Sequence, residues 1–278
     1  MSKSHRICGR SSEPLRIEFS EPKHDTMKNV KRFLLPLLFL GCTATRQPVV
    51  TTTIQRIPPK FDFSPPSRSQ TGAANLSIAL INPSYVQVNA AENLMSPYSD
   101  MAAKMAQDFQ ELMTAKGFTI RGPFGSRDEM TFGDKTNSSI AFSVAIDLVR
   151  EYNRKYNQRT SWGSLLSKDL AYSYTMSGEI VFKPSLVITA YSPQYGELLW
   201  KKNITITPSV FTYTGTKTYT EVPAWAEELK QDNAVYNLVG QELDKIYKQA
   251  MDLAWQQIDV AEMKTVADQA RKADKKGS

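Results

Sequence analysis

Ile180-Val-Phe-Lys-Pro-Ser-Leu-Val-Ile-Thr-Ala-Tyr191, Ser192-Pro-Gln-Tyr-Gly196 and Glu197-Leu-Leu-Trp-Lys-Lys-Asn-Ile-Thr-Ile206 follow one another without a break. Two apolar, β-branched runs on either side of a Pro/Gly turn spell a β-hairpin. In the return run Leu198, Trp200, Ile204 and Ile206 stand on one side, and Leu199, Lys201, Asn203 and Thr205 on the other. That alternation suits a strand with one buried face. Pro184 has no N–H to give a ladder and predicts an edge or a bulge.

Working outward, Leu76-Ser-Ile-Ala-Leu-Ile81 is a short apolar run closed by Asn82-Pro83, which reads as a buried strand. Ser96-Pro97 or Ser99 opens a helix, because Ser suits the N-cap and Pro the first helical position. Met101, Met105, Phe109, Leu112 and Met113 recur at helical spacing, and Gly117 supplies the stop. That methionine stripe is read as helix core in preference to a pliable partner surface. Phe118–Arg121, ended by Gly122-Pro123, predicts a second strand, and Ser139–Leu148 a third. Residues 207–224 are Thr/Tyr-rich and read as a loop. Val235, Val239, Leu243, Ile246, Ala250, Leu253 and Ile258 then keep the helical period. The order β-α-β-β-β-β-α predicts an α+β domain over residues 76–263: a mostly antiparallel or mixed sheet with two long helices packed on it. Residues 264–278, polar and lysine-rich, read as a solvated basic tail.

Upstream, Met27-Lys-Asn-Val-Lys-Arg-Phe-Leu-Leu-Pro-Leu-Leu-Phe-Leu-Gly-Cys42 has a different character. Lys28, Lys31 and Arg32 make a positive region, Phe33–Leu40 an apolar one, and Gly41 a small residue before Cys42. This is the order of a secretory signal peptide, here over residues 27–41. A cysteine directly after the small residue is what bacterial lipoprotein processing requires, so Cys42 is read as the lipidation site and membrane anchor. Eight apolar residues are far fewer than the ~20 that cross a bilayer. Residues 1–26 lack a hydrophobic period and read as an upstream extension. Residues 42–75, with Pro48, Pro58-Pro59 and Pro65-Pro66, read as a flexible tether.

Removing the leader removes much of the chemistry. His5, His24 and Cys8 are all upstream of Cys42, so the mature chain carries no Ser-His-Asp or Cys-His nucleophile, no His-based zinc site and no disulfide. Residues 1–41 hold eight Lys+Arg and four Asp+Glu, which leaves 26 against 24 and lowers the net charge from +6 to +2. The basic balance therefore belongs mostly to the leader, and no nucleic-acid partner is expected. No Gly-rich phosphate loop or Cys-x-x-Cys is present. No enzyme activity, cofactor or metal is expected. The carboxylates Asp128-Glu129, Glu151 and Glu227-Glu228 read as solvated surface; a glycosidase would need two of them ~5–10 Å apart in a cleft.

One stretch stands out as a binding candidate. Arg150, Arg154, Lys155 and Arg159 are interleaved with Tyr152, Tyr156 and Trp162. Aromatic faces beside cations are what acidic saccharides need, for stacking and for charge-assisted hydrogen bonds. The plain alternative is an exposed loop or sheet end with solvated arginines.

With these residues in view, the chain resembles the neuraminyllactose-binding haemagglutinin family of adhesin lipoproteins. The likeness is carried by Gly41-Cys42, the Leu76–Ile81 strand, Lys116-Gly117-Phe118, Gly178-Glu-Ile-Val-Phe-Lys-Pro184, and Leu186-Val-Ile-Thr with its Ser192-Pro-x-x-Gly196-Glu turn. It implies an outer-membrane or flagellar-sheath lipoprotein, acylated in the manner of palmitate-bearing proteins, with host sialylated glycans as partners and a homo-oligomer left open. The family's sialic-acid motif is a Lys-Arg-Thr-Ile-Gln-Lys type stretch. Here the corresponding region reads Asn153-Arg-Lys-Tyr-Asn-Gln-Arg-Thr160, basic but a different sequence. A periplasm-facing structural or assembly lipoprotein is the competing reading.

Overall fold

The structure, a computed structural model, describes residues 53–86, 91–162 and 170–276. The upstream extension, the signal peptide and Cys42 lie outside these residues. Among them the chain runs β1 (Ser77–Tyr85), α1 (Tyr98–Ala115), β2 (Thr119–Phe124), α2 (Phe132–Asn137), β3 (Ile140–Trp162) and β4 (Leu170–Tyr191), followed by β5 (Leu198–Thr205), β6 (Ser209–Tyr219), α3 (Trp225–Gln231), α4 (Asn233–Gln257) and α5 (Val260–Lys276). The strands form one mixed sheet in the order β2-β1-β3-β4-β5, and β6 also pairs with β4. β1 is parallel to both β2 and β3, whereas β3, β4, β5 and β6 meet antiparallel. The α+β class is the expected one.

Strand alternation divides the two faces. Ile78, Leu80, Phe142, Val144, Ile146, Leu186 and Ile188 turn into the main core with α1 and α4, while Ala79 and Ala141 turn the other way against Met130. The stripe Met101, Met105, Phe109, Leu112 and Met113 is buried, as its spacing predicts. α1 ends on Gly117 at φ +91, with Gly117 N donating to Thr114 O and Phe118 N to Met113 O. These two bonds satisfy the last carbonyls of the helix and need a residue that tolerates the left-handed region. The hairpin also forms as read, Ser185 opposite Thr205 and Tyr191 opposite Leu198.

Pro184 sits at neither an edge nor a bulge. It pairs in register with Leu148 of β3, and on the other side it falls between the two neighbours of β4. β6 covers Tyr174–Phe182 and β5 covers Ser185–Tyr191. Its carbonyl accepts from Ile206 N in that seam. In an antiparallel ladder a residue's N–H and C=O face the same neighbour, so the missing donor points where no strand pairs.

Four other expectations are corrected. Within the expected tether of residues 42–75, the described part from Thr53 packs along α4. Asn233 Nδ2 donates to Ile54 O at 2.9 Å, Ile57 N to Asn237 Oδ1 at 2.7 Å, and Phe61 N to Asp244 Oδ1 at 2.7 Å. Phe61 is 2% exposed, 5.3 Å from the Tyr247 ring, and Phe63 is also in the core. The prolines forbid a helix but leave an extended strap with hydrogen-bonding groups free for α4. The Thr/Tyr-rich loop contains β6, whose Thr, Val and Tyr residues favour strand. The basic tail is helical through Lys276, with Met263, Val266, Ala267 and Ala270 buried. Finally, the third strand does not stop at Leu148: it runs on through the basic-aromatic stretch as the outer half of β3, paired with β4 from Arg150–Phe182 to Trp162–Leu170.

Candidate functional site

Because the stretch is a strand, its side chains take opposite faces in turn. Arg150, Tyr152, Arg154 and Tyr156 point to the helix-bearing face, and Lys155 and Arg159 to the other. This parity decides what each cation can do.

Arg150 and Arg154 serve the fold's interior. The Arg150 side chain is 7% exposed; its Nη1 donates to Glu92 Oε2 at 2.9 Å, a second nitrogen donates to Asn93 Oδ1, and the guanidinium lies 4.2 Å from the Tyr98 ring centre. Tyr152 OH donates to the same Glu92 oxygen at 3.0 Å, and its ring lies 4.7 Å from that of Trp225. Burial drives the Tyr152 hydroxyl well above the usual phenol range and pushes Tyr98 up to about 12, against the pull of Arg150. Arg154 Nη2 donates to Glu228 Oε2 at 2.6 Å and to Pro223 O at 2.8 Å.

Glu228, expected at the solvated surface, is fully buried. Burial raises its carboxyl above the ordinary range, opposed by the hydrogen bond from Arg154. Tyr213 OH also donates to it, at 3.3 Å. The sequence held a signal for this placement: Trp225, Glu228 and Leu229 share one helical face, and Asp232 continues it. Asp232 binds this helix pair to the sheet. The β4–β6 register slips between Thr175 and Ser177, which leaves backbone donors of β6 out of the ladder. Asp232 Oδ2 accepts two of them, from Thr216 N at 2.5 Å and Lys217 N at 2.8 Å. Its Oδ1 caps α4 by accepting from Ala234 N at 2.9 Å. Gly215 permits the approach, since a Cβ there would come within 3.0 Å of the carboxylate.

The outer residues behave differently. Lys155, Tyr156 and Arg159 are exposed, and Tyr156 packs its ring 5.8 Å from Tyr174 at 74°. Trp162 ends β3, its side chain lying outside the described residues. The stretch therefore splits into a structural inner half and an exposed arm. On that arm the accessible rings and the accessible cations occupy opposite faces.

Two grooves flank these elements. One of about 430 Å³ is lined by Glu92, Val149, Arg150, Tyr152 and Trp225. A second, of about 790 Å³, runs between α4 and the β5–β6 connection, past Val210, Glu242, Ile246 and Leu253. Among the described residues no three His, Cys, Asp or Glu side chains gather in a metal-binding group. No helix among them is long and apolar enough to cross a membrane.

No family model and no curated protein matches the sequence. Some solved structures are similar in part, at low identity and low TM-score. A neuraminyllactose-binding hemagglutinin homolog from Helicobacter pylori is 10% identical with a TM-score of 0.48, covering 78% of this chain and 100% of its own. A lipoprotein from Neisseria meningitidis is 13% identical with a TM-score of 0.22, over 60% of this chain and 99% of its own. A minor lipoprotein from Acinetobacter baumannii is 9% identical with a TM-score of 0.17, over 61% and 89%.

Proposed function

We propose that the chain is a lipid-anchored protein of the bacterial envelope, held in its membrane through Cys42, that works by binding or bracing and not by catalysis. One observation carries this reading: a positive region, an eight-residue apolar region, Gly41 and Cys42 follow in the order that export and acylation require. The chain from Thr53 onward contains no histidine and no cysteine, which removes the usual nucleophile–base pairs. The outer membrane is the location we assign to it.

Of the two kinds of binding, bracing within the envelope is favoured over capture of sialylated glycans. A glycan site on the basic-aromatic stretch needs a ring and a guanidinium converging on one sugar. Arg150 and Arg154 are instead committed to Glu92 and Glu228, and Lys155 and Arg159 face away from Tyr156. Metabolic labelling with an alkynyl fatty acid tests the anchor. The native chain should take up label and fractionate with membranes. Cys42→Ser should lose all label and leave the membrane pool or stall unprocessed. Label retained by Cys42→Ser contradicts the reading.

A further inference from the structure

The strap fixes the end of the domain at which the chain from Cys42 enters it. Residues 54–61 run along α4 in its own direction, from Ile54 beside Asn233 to Phe61 beside Asp244. The chain therefore joins the domain at the N-terminal end of α4. That end is tied to Thr216 and Lys217 through Asp232. Thr218 and Tyr219 pair with Thr175 and Tyr174, which in turn face Asn157 and Gln158. The strap's first residues and the root of the β3–β4 arm thus share one end of the sheet. Beyond Gln158 and Tyr174, β6 stops, and the arm continues as two strands to Trp162 and Leu170. The four residues from Arg159 to Trp162 carry it about 13 Å farther.

The spacer to the anchor is short. Ten residues, 43–52, separate Cys42 from Thr53, and ten residues span at most about 35 Å. An arm of about 13 Å on the same end lies within the reach of that spacer. Its charge suits the destination: neither Tyr152–Trp162 nor Leu170–Gly178 contains an Asp or Glu, and Lys155 and Arg159 are exposed. Tyr156, 56% exposed, and Tyr172 add amphipathic rings of the kind that settle at a membrane interface. A second copy is a poorer occupant, because antiparallel pairing of two β3 edges about Asn157 sets Lys155 against Arg159.

We propose that the β3–β4 arm meets the anionic lipid surface of the membrane that holds Cys42 end-on, so that both its faces reach the surface, Lys155 and Arg159 on one meeting headgroups and Tyr156 and Tyr172 on the other the interfacial layer. The proposal rests on the lipid anchor proposed above. A basic residue at such a surface contributes about fivefold to association, so losing both should weaken the arm's contact about 25-fold.

The test uses the acylated protein in vesicles containing phosphatidylglycerol. An environment-sensitive fluorophore is placed on Thr160→Cys in the arm, or on Thr136→Cys near the opposite end of β3. Flotation reports the anchor, and quenching by nitroxide-bearing lipid reports the arm. Floating protein should be quenched at Thr160 and not at Thr136. Lys155→Gln with Arg159→Gln, or vesicles of phosphatidylcholine alone, should abolish the quenching without affecting flotation. Floating protein equally unquenched at both positions overturns the proposal and leaves the anchor standing. Shielding of Thr160 from an aqueous quencher without lipid quenching would point to a second copy and also overturns it. Protein that does not float removes the anchor, and the proposal with it.

Discussion

Arg154→Ala is expected to lower stability by about 3–5 kcal/mol at neutral pH, since it strips the cation from a buried carboxylate. Glu228 is 0% exposed and keeps only the Tyr213 hydroxyl as a donor among the described residues once Arg154 is gone. The loss should depend on pH. Burial already raises the Glu228 carboxyl above 4.5, against Arg154, and removing Arg154 lets it rise further. A group with a raised folded-state pKa gives its full stability below the unfolded value and loses it as pH climbs through the folded value. The variant should therefore lie closer to the native protein at pH 5 than at pH 8. Urea unfolding at the two pH values checks this, and adding Glu228→Gln should recover part of the loss at pH 8. An equal deficit at both pH values, untouched by the second change, would mean that the ion pair does not govern Glu228. This variant also makes a poor probe of ligand binding, because it acts on the core.

Phe61→Ala should cost a similar amount, about 3–5 kcal/mol, as large-to-small changes at buried phenylalanines do. At a few degrees per kcal/mol for a domain of this size, the midpoint of thermal unfolding should fall on the order of 10 °C. Phe132→Ala is the matched control: Phe132 is 80% exposed, and its loss should stay within about 0.5 kcal/mol. If both variants melt alike, Phe61 belongs to a tether and not to the core.

The sequence was most legible where a hydrophobic period had one wet face. The stripe on α1, the period of α4 and the β4–β5 hairpin could each be read from spacing alone. It was least legible where that contrast vanished. The outer half of β3 is exposed on both faces, so no alternation of apolar and polar residues marks it as strand. The strap hid behind its prolines, which exclude helix but not burial, and Phe61 and Phe63 were the two residues that spoke against a tether. β6 was masked by threonine, common in loops and strands alike. α5 was readable in principle, for Met263, Val266, Ala267 and Ala270 fall at helical spacing, but its lysines dominated the composition. The candidate site was the harder problem. The basic-aromatic stretch could be found, yet which of its cations were engaged depended on Glu92 and Glu228, distant in sequence, and on a parity that follows only once the stretch is known to be strand.

The central claim is that the folded domain includes the strap, so that at most ten residues and not thirty-three separate it from Cys42. Amide hydrogen exchange in the intact protein tests this most directly, read at the two strap amides bonded to α4, Ile57 N and Phe61 N. The account predicts that both are protected to a degree comparable with the amides of α4 itself and exchange with them as one unit. Exchange at Ile57 and Phe61 at the rate of an unstructured chain, while α4 stays protected, would contradict it.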